Sequence, residues 1–356
     1  MSNEKKKFNW KAITHHHLFL PIVCLLVVLL VNVIKTPDFF VISMKGGVLY
    51  GYLVDVVNRA SELVIVAIGM TLVTAASGGQ DISVGAVMAV AAAVCCQILS
   101  GGQVTTDQLM NSMALAIIAA VIVAGLCGAF NGFLVANLGI QPMVATLILF
   151  TAGRGIAQLV TKGQITYVRV DSFKVMGGYI GKCPVPTPIF FAIATIIIVN
   201  IVLKKTALGL YIESVGINPR ASRLFGLNST KIIFITYAAC GLCAGIAGMI
   251  ATSRITSIDA NNVGNLMELD AILAVALGGN SLAGGKFSVA GSVIGAITIQ
   301  ALSTTLYAMK VTGDQLPLYK AIVVIIIVTL QSPEFKKYLN RIKAKRAAKT
   351  AGEKVA

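Results

Sequence analysis

The chain has 356 residues, of which 56% are apolar and only 12% are charged, and its mean hydropathy is +0.85. Soluble domains usually contain about 45–50% apolar and about 25% charged residues. The polar surface is therefore too small for a soluble enzyme, a coiled coil or a disordered regulator. The 29 Lys and Arg against 14 Asp and Glu give a net charge of +15. The location of these basic residues decides between nucleic-acid binding and a membrane topology.

Charge-free stretches predict an all-α membrane protein with about ten transmembrane helices. A charged side chain near the bilayer centre costs at least about 2.5–3.5 kcal/mol, and a spanning helix needs about 20 apolar residues. Residues 108–153 hold two helices with a turn at 137–142, and two short stretches become spans if Asp270 and Lys320 lie at helix ends. The short stretches are 271–285 and 321–333, and the remaining six are 12–34, 63–80, 82–106, 183–203, 232–253 and 287–309.

The distribution of basic residues predicts that both termini are cytoplasmic. In that orientation the cytoplasmic segments hold 18 Lys and Arg and the outer loops 9, while Arg154 and Lys320 fall within spans. Such an excess is the usual topology signal, so the charge does not indicate nucleic-acid binding. The chain divides into a cytoplasmic segment 1–17, a transmembrane domain 18–332 with a cytoplasmic loop 204–231, and a basic cytoplasmic tail 333–356.

The sequence offers no catalytic or metal-binding constellation. The nearest match to a phosphate-binding loop has Phe287 where Ser or Thr would hold Mg²⁺. The spans contain no H-E-x-x-H motif, no paired aspartates on facing helices and no Ser/His combination, and the run 15–17 of three histidines has no second ligand cluster. We therefore predict no catalytic residue, no ATP site and no metal site in this chain, and transport as its function.

A short capped helix is predicted at 218–226 in the cytoplasmic loop. Asn218 is a good N-cap, Pro219 fits the first helical position because its missing N–H is not needed there, and Gly226 fits the residue after the C-cap. A helix of about two turns is not stable alone in water, because nucleation is costly. It must therefore lie on another surface.

The two faces of this helix leave two interpretations open. Ala221, Leu224 and Phe225 fall at positions i, i+3 and i+4 and form an apolar face, while Arg220 and Arg223 stand on another face. The helix rests either on lipid headgroups or in a groove of a soluble partner, which would move the helix as the partner moves.

Several polar residues within the spans are candidates for a translocation pathway. Polar side chains in membrane helices face protein or a wet cavity, but each also has a structural interpretation: Asp81 as a helix cap, Asn131 as an interhelical hydrogen bond, Arg154 as paired with a carboxylate or with backbone carbonyls. The pathway candidates are Glu62, Asp81, Ser83, Asn131, Arg154, Gln158 and Asp270.

Motifs between about residues 50 and 332 resemble the permeases of ribose-type sugar ABC importers. The run GINPRASRLFGLN at 216–228 resembles their cytoplasmic loop, and GGQDISVG at 78–85 resembles their G-G-I-D-L-S-V-G signature, with Gln80 in place of the usual Ile. The resemblance is closer still to galactofuranose importer permeases. It is carried by IQPMVATLI at 140–148, AGRGIAQL at 152–159, DANN at 259–262 and ELDAILAV at 268–275.

This resemblance implies a permease subunit in a bacterial cell membrane. It would pass a galactofuranose- or ribose-like monosaccharide from an extracytoplasmic sugar-binding protein to the cytoplasm. Its partners would be a second permease copy or a paralogue and a cytoplasmic ATPase, which would hold ATP and Mg²⁺. The implied ATPase-coupling residues are Asn218, Pro219, Arg220, Ala221, Arg223, Leu224, Phe225 and Gly226.

Three further residues are expected on the outer face. Asn261, Asn262 and Glu268 would meet the binding protein or the entering sugar, or would be solvated loop residues. The competing hypothesis is an ion-coupled secondary transporter for a small polar solute, with Glu62, Asp81 or Asp270 as the ion relay. Such a transporter has no use for the capped helix at 218–226, which therefore separates the two hypotheses.

Overall fold

The computed structural model describes residues 18–181 and 183–331, and these are mostly helical. The predicted N-terminal segment 1–17 and tail 333–356 lie outside this part of the chain. The described helices are α1 Phe19–Lys35, α2 Tyr52–Ser77, α3 Val84–Ser100, α4 Met113–Ala136, α5 Pro142–Val160, α6 Asp171–Lys174, α7 Thr187–Lys205, α8 Leu208–Ile217, α9 Pro219–Leu224, α10 Ser229–Ile255, α11 Met267–Leu277, α12 Val289–Ala308 and α13 Leu316–Gln331. A 3₁₀ turn, Pro37–Phe40, follows α1.

Each predicted span overlaps one of these helices. Within the described residues, six helices are long and apolar enough to cross a membrane, namely α2, α4, α5, α7, α10 and α12. Helices α1, α3 and α13 are apolar but shorter. The number of ten crossings and the cytoplasmic termini stay predictions.

Two small sheets lie in the loops. Strands β1 Ser43–Lys45 and β2 Val48–Tyr50 form an antiparallel hairpin. In the second sheet, β4 Thr166–Val168 pairs in parallel with β3 Thr105–Thr106 and antiparallel with β5 Ser257–Ile258. These strands follow α3, α5 and α10, so the C-terminal ends of three helices meet there; we call this the sheet end. Helix α10 has 27 residues and is therefore about 40 Å long. Its C-terminus lies at the sheet end, and its N-terminus, which follows α9, lies at the opposite end of the bundle; we call this opposite end the α9 end.

Charged residues inside helices explain why some predicted boundaries are wrong. Helix α2 begins at Tyr52 rather than at residue 63, and α11 begins at Met267 rather than at residue 271. A rule based on charge-free stretches misses charges that have a partner on the same helix or on another one. Three ion pairs neutralise such charges: Asp55–Arg59 at 2.9 Å, Glu62–Arg254 at 2.9 Å and Asp270–Lys320 at 2.8 Å.

The centre of the bundle is built on small residues. On α4, buried alanines and glycines recur every fourth residue at 116, 120, 124, 128 and 132, and this stripe packs against α10. A Cβ added to Gly128 would lie 2.9 Å from the Cα of Gly241. The two backbones therefore touch, as in small-xxx-small membrane contacts. The other face of α4 exposes large apolar side chains, among them Leu115, Ile118, Ile122, Leu126 and Phe130.

The loops at the α9 end confirm one local prediction and correct another. Helix α4 ends at Ala136 and α5 starts with Pro142 at its first position, as the predicted turn requires. The segment 204–231 is not a loop with one short helix, because α8 also lies in it. Ile212 and Val215 of α8 are buried, so this helix packs onto the bundle.

Candidate functional site

Helix α9 has the caps that its sequence predicts. Asn218 Oδ1 accepts hydrogen bonds from the backbone nitrogens of Arg220 and Ala221, each at 3.0 Å. Pro219 occupies the first helical position, and Gly226 adopts a left-handed φ of +83° after the helix. These local bonds determine where the helix begins and ends. A helix of six residues is nevertheless too short to be stable in isolation.

The end of α9 exposes two large apolar side chains. Leu224 is 89% exposed and Phe225 is 86% exposed, whereas Ala221, the third member of the predicted apolar face, is half-buried. Arg220 is exposed, but the Nε of Arg223 donates to the Ser229 Oγ at 2.5 Å and so turns back onto its own chain. Leu224 and Phe225 thus form an adjacent pair of exposed apolar side chains at the end of α9.

Three pathway candidates instead form a buried polar cluster, which we define as Asp81, Ser83 and Asn131. Asp81 Oδ1 accepts from the Ser83 backbone nitrogen at 2.9 Å and from the Ser83 Oγ at 2.6 Å. Asn131 Nδ2 of α4 donates to Ser83 Oγ at 2.8 Å and to Asp81 Oδ1 at 3.4 Å. All three residues are buried. The structural interpretations of Asp81 and Asn131 therefore describe their surroundings, and the cluster meets no open surface in this conformation.

The loop that carries this cluster is also tied to two neighbours. The Ile82 backbone nitrogen donates to Thr146 Oγ1 of α5 at 3.2 Å. Gln80, which stands where the resembling motif has Ile, donates from Nε2 to the Leu282 carbonyl at 3.3 Å. The departure at Gln80 thus adds a bond to the loop between α11 and α12.

A second group of polar residues lies at or near the surface, and in it Arg154 and Asp259 are half-buried. We define it as the open polar group: Arg154, Gln158, Asp259, Asn261 and Asn262. Arg154 donates from Nη1 to the carbonyls of Ala260 and Val263, at 3.0 and 2.5 Å. Gln158 Nε2 donates to Asn261 Oδ1. Of the partners considered for Arg154, the structure selects backbone carbonyls rather than Glu62, Asp81 or Asp270.

Asp259 was not among the predicted site residues, yet it holds the two asparagines. Its Oδ1 accepts from the Asn261 backbone nitrogen at 3.0 Å and its Oδ2 accepts from Asn262 Nδ2 at 2.7 Å. An Asp that bonds the backbone two residues later is a common turn signal, and that signal was available in the sequence. Gln158, Asn261 and Asn262 are exposed.

Glu268 does not share this exposed location. It is only 4% exposed, and a Cβ added to Gly85, near the start of α3, would collide with its carboxylate. Gly85 lies about 22 Å along α3 from Ser100, which leads into the sheet end. The chain after β5 therefore returns into the bundle, and α11 begins there as a half-helix. Arg154 satisfies carbonyls of this non-helical segment, which such depth requires.

The remaining two candidates are each paired with a cation. Glu62 is buried and contacts Arg254, and Asp270 contacts Lys320, whose Nζ lies 3.0 and 2.8 Å from the two carboxylate oxygens. Arg254 also donates to the Asn58 carbonyl at 3.2 Å. Neither carboxylate lies in the open polar group.

Helix α5 presents an unpartnered face beside the open polar group. Small or polar residues on this face alternate with large apolar ones, and a Cβ added to Gly155 would have no atom within 4 Å. Gln158 continues this face toward the sheet end. The exposed residues are Val144, Leu147, Ile148, Thr151, Ala152, Gly155 and Leu159.

A bundle of apolar helices, six of which are long enough to cross a membrane among the described residues, is the architecture of a polytopic membrane protein. Residues 52–330 match the family model described as the permease component of the branched-chain amino acid transport system. The chain belongs to this family.

Three relatives match nearly the whole chain. The galactofuranose transporter permease protein YtfT of Escherichia coli strain K12 is 40% identical over 96% of each chain. The fructose import permease protein FruF of Bifidobacterium longum is 38% identical over 97% of this chain and 96% of its own. The ribose import permease protein RbsC of Escherichia coli strain K12 is 33% identical over 87% of this chain and 92% of its own. These matches confirm the resemblance drawn from the motifs.

Proposed function

We propose that this chain is the permease subunit of an ATP-driven sugar importer in a bacterial inner membrane. It passes a monosaccharide of the galactofuranose or ribose type from an extracytoplasmic binding protein to the cytoplasm. Its relatives that import galactofuranose, fructose and ribose support the substrate class. The observation that carries the mode of energy coupling is α9, with its caps and its exposed Leu224 and Phe225.

In this proposal the α9 end faces the cytoplasm and α9 docks in a groove of the ATPase, which holds ATP and Mg²⁺. Leu224 and Phe225 are the apolar anchors, since buried aromatic and aliphatic side chains at an interface centre provide much of the binding energy. Arg220, exposed beside them, pairs with an acidic group of the ATPase. Movement of the ATPase then displaces α9 and the helices attached to it.

The pathway in this proposal runs along the exposed face of α5. Lipid is a poor neighbour for Gln158 and for the non-helical segment that carries Asn261 and Asn262. A second permease copy or a paralogue places its corresponding helix face opposite α5, and the two faces together enclose these groups in a water-filled path. Amides and carboxylates on the wall exchange hydrogen bonds with sugar hydroxyls, while the binding protein provides the affinity.

An ion-coupled secondary transporter is less well supported by the same geometry. A proton or cation relay needs titratable groups that reach a pathway. Glu62 and Asp270 are paired with Arg254 and Lys320, and Asp81 accepts hydrogen bonds inside the buried polar cluster.

The substitution Phe225→Asp tests the proposal in vesicles that contain the complete complex. A carboxylate in place of the anchor should dissociate the ATPase and abolish uptake of radiolabelled galactofuranose and ribose, while the permease stays inserted. Leu138→Asp is the matched control, because Leu138 is an exposed apolar residue in another loop at the same end. Persistent uptake in Phe225→Asp, or uptake driven by an ion gradient without ATP, would contradict the proposal.

A further inference from the structure

Three backbone segments meet at the α9 end without side chains between them. The Gly285 nitrogen, in the loop between α11 and α12, donates to the Ala75 carbonyl in the last turn of α2 at 3.0 Å. Gly216 of α8 lies against both, because an added Cβ would collide with the Ala75 oxygen and lie 2.6 Å from the Gly285 nitrogen. A Cβ on Gly284 would lie 3.1 Å from the Gly216 oxygen and from the Gly78 Cα. We call these residues, Ala75, Gly78, Gly216, Gly284 and Gly285, the glycine junction.

Apolar packing joins α8 to the same end of α2. Ile212 and Val215 are fully buried in a cluster that includes Leu72 and Ala76 of α2 and Ile232 of α10. Because packed interiors are dense and deform little, α8 and the end of α2 behave as one unit. A displacement of α8 therefore reaches the glycine junction.

The link from α9 to this unit is short. Helix α8 ends at Ile217 and α9 begins at Pro219, so Asn218 alone separates the two helices, and the two steps from Ile217 to Pro219 span at most about 7 Å. Asn218 is also tied to α9 by its side chain, which accepts from two of the helix's N–H groups. The connection between α8 and α9 is therefore too short for the two helices to move far independently of each other.

On its other side, the junction leads to the two loops inside the bundle. Gly78 ends α2 and opens the loop 78–83, which carries the buried polar cluster. A Cβ on Gly78 would lie 2.7 Å from the Ala283 carbonyl, and Gln80 Nε2 donates to the carbonyl of the adjacent Leu282 at 3.3 Å. The loops that follow α2 and α11 are thus held to each other and to α8.

We infer that the glycine junction transmits displacement of α9 to these two loops, with Gly216 as the positioning residue that couples ATP hydrolysis to opening of the pathway. This inference rests on the proposed function. Glycine is required at position 216 because any side chain would separate α8 from Ala75 and Gly285. The segments would then still fold and dock, but they would no longer move together.

Two variants test this role in the reconstituted complex of permease, ATPase and binding protein. Gly216→Ala separates the backbones at the glycine junction. Insertion of one glycine between Ile217 and Asn218 leaves the junction intact but lengthens the connection between α8 and α9. The readout is sugar taken up per ATP hydrolysed, which a loss of stability alone does not change. Both variants should lower this ratio roughly tenfold, within the range typical of coupling between two sites, while the complex still assembles and hydrolyses ATP.

Two further variants serve as controls. Gly313→Ala adds the same methyl group at an exposed position with no atom within 4 Å, and Gly241→Ala adds it in the close contact with Gly128. The first should behave as the parent, and the second should lower the melting temperature but keep the ratio. A parental ratio in the insertion variant, or in an assembled Gly216→Ala complex, would overturn the inference. If the parent complex shows no ATP-driven sugar uptake, the proposed function itself is refuted.

Discussion

The buried polar cluster and the open polar group contain the same kinds of side chain but differ in where their hydrogen bonds go. In the cluster, Asp81, Ser83 and Asn131 bond to one another inside the protein. In the open group, Arg154 bonds to backbone carbonyls and Gln158 bonds to an exposed asparagine. The two sets therefore differ in exposure, because the three residues of the cluster are buried whereas Gln158 and Asn261 are exposed.

This difference separates stability from transport. Satisfied polar groups inside a low-dielectric bundle hold elements in place, and their removal leaves a partner without a hydrogen bond. Surface groups beside the unpartnered face of α5 have water or a solute as alternative partners. Substitutions in the two regions should consequently change different measurements.

The largest loss of stability is expected when the Glu62–Arg254 ion pair is broken, because this pair lies inside the bundle, as the buried polar cluster does. Arg254→Ala leaves Glu62 buried without its cation, and we expect a loss of about 3–5 kcal/mol in the free energy of unfolding. Denaturant unfolding of the purified permease in detergent measures this. The matched control is Arg59→Ala, because its pair with Asp55 is 53% and 43% exposed and contributes only about 0.3–0.5 kcal/mol. Equal losses in the two variants would remove the distinction between buried and exposed pairs.

Asp81→Ala should have the next largest effect. It removes the acceptor for the backbone nitrogen and the hydroxyl of Ser83, and a buried donor without a partner costs about 1–3 kcal/mol. The free energy of unfolding should fall by that amount. In Asp81→Asn, which keeps one oxygen as an acceptor, the free energy of unfolding should fall less. A stable Asp81→Ala permease that binds its ATPase but fails to take up sugar would make the cluster part of the pathway and break the comparison.

Gln158→Ala and Asn261→Ala should have the smallest effect on stability, within about 0.5 kcal/mol, because both side chains are exposed. Uptake should fall by roughly three- to tenfold, the equivalent of one lost hydrogen bond to the solute. Initial uptake rates and melting temperatures of the same preparations provide the test. Parental uptake in both variants would show that the open polar group does not contact the sugar.

The features that the sequence predicts well depend on neighbouring residues. The caps of α9 follow from Asn218, Pro219 and Gly226, and the start of α5 follows from Pro142, because each acts within one helical turn. The apolar segments that contain the helices follow from the cost of charge in a membrane.

The features that the sequence does not predict depend on distant partners. Helix α2 extends through Glu62 because Arg254, far along the chain, neutralises it. Glu268 is buried because the chain returns into the bundle after β5, and Asp81 and Gln158 differ in exposure only through packing. A single sequence carries no signal for such pairings, so the division between closed and open polar residues had to come from the structure.

The three-stranded sheet has an evolutionary consequence. Its segments are fastened through main-chain atoms: Tyr167 N donates to the Val104 carbonyl at 2.7 Å, Arg169 N to that of Thr106 at 2.9 Å and Val168 N to that of Thr256 at 2.9 Å. Such bonds depend little on which side chains the strands carry. Related permeases can therefore change the residues displayed at this end without loosening the three helices that the strands hold together.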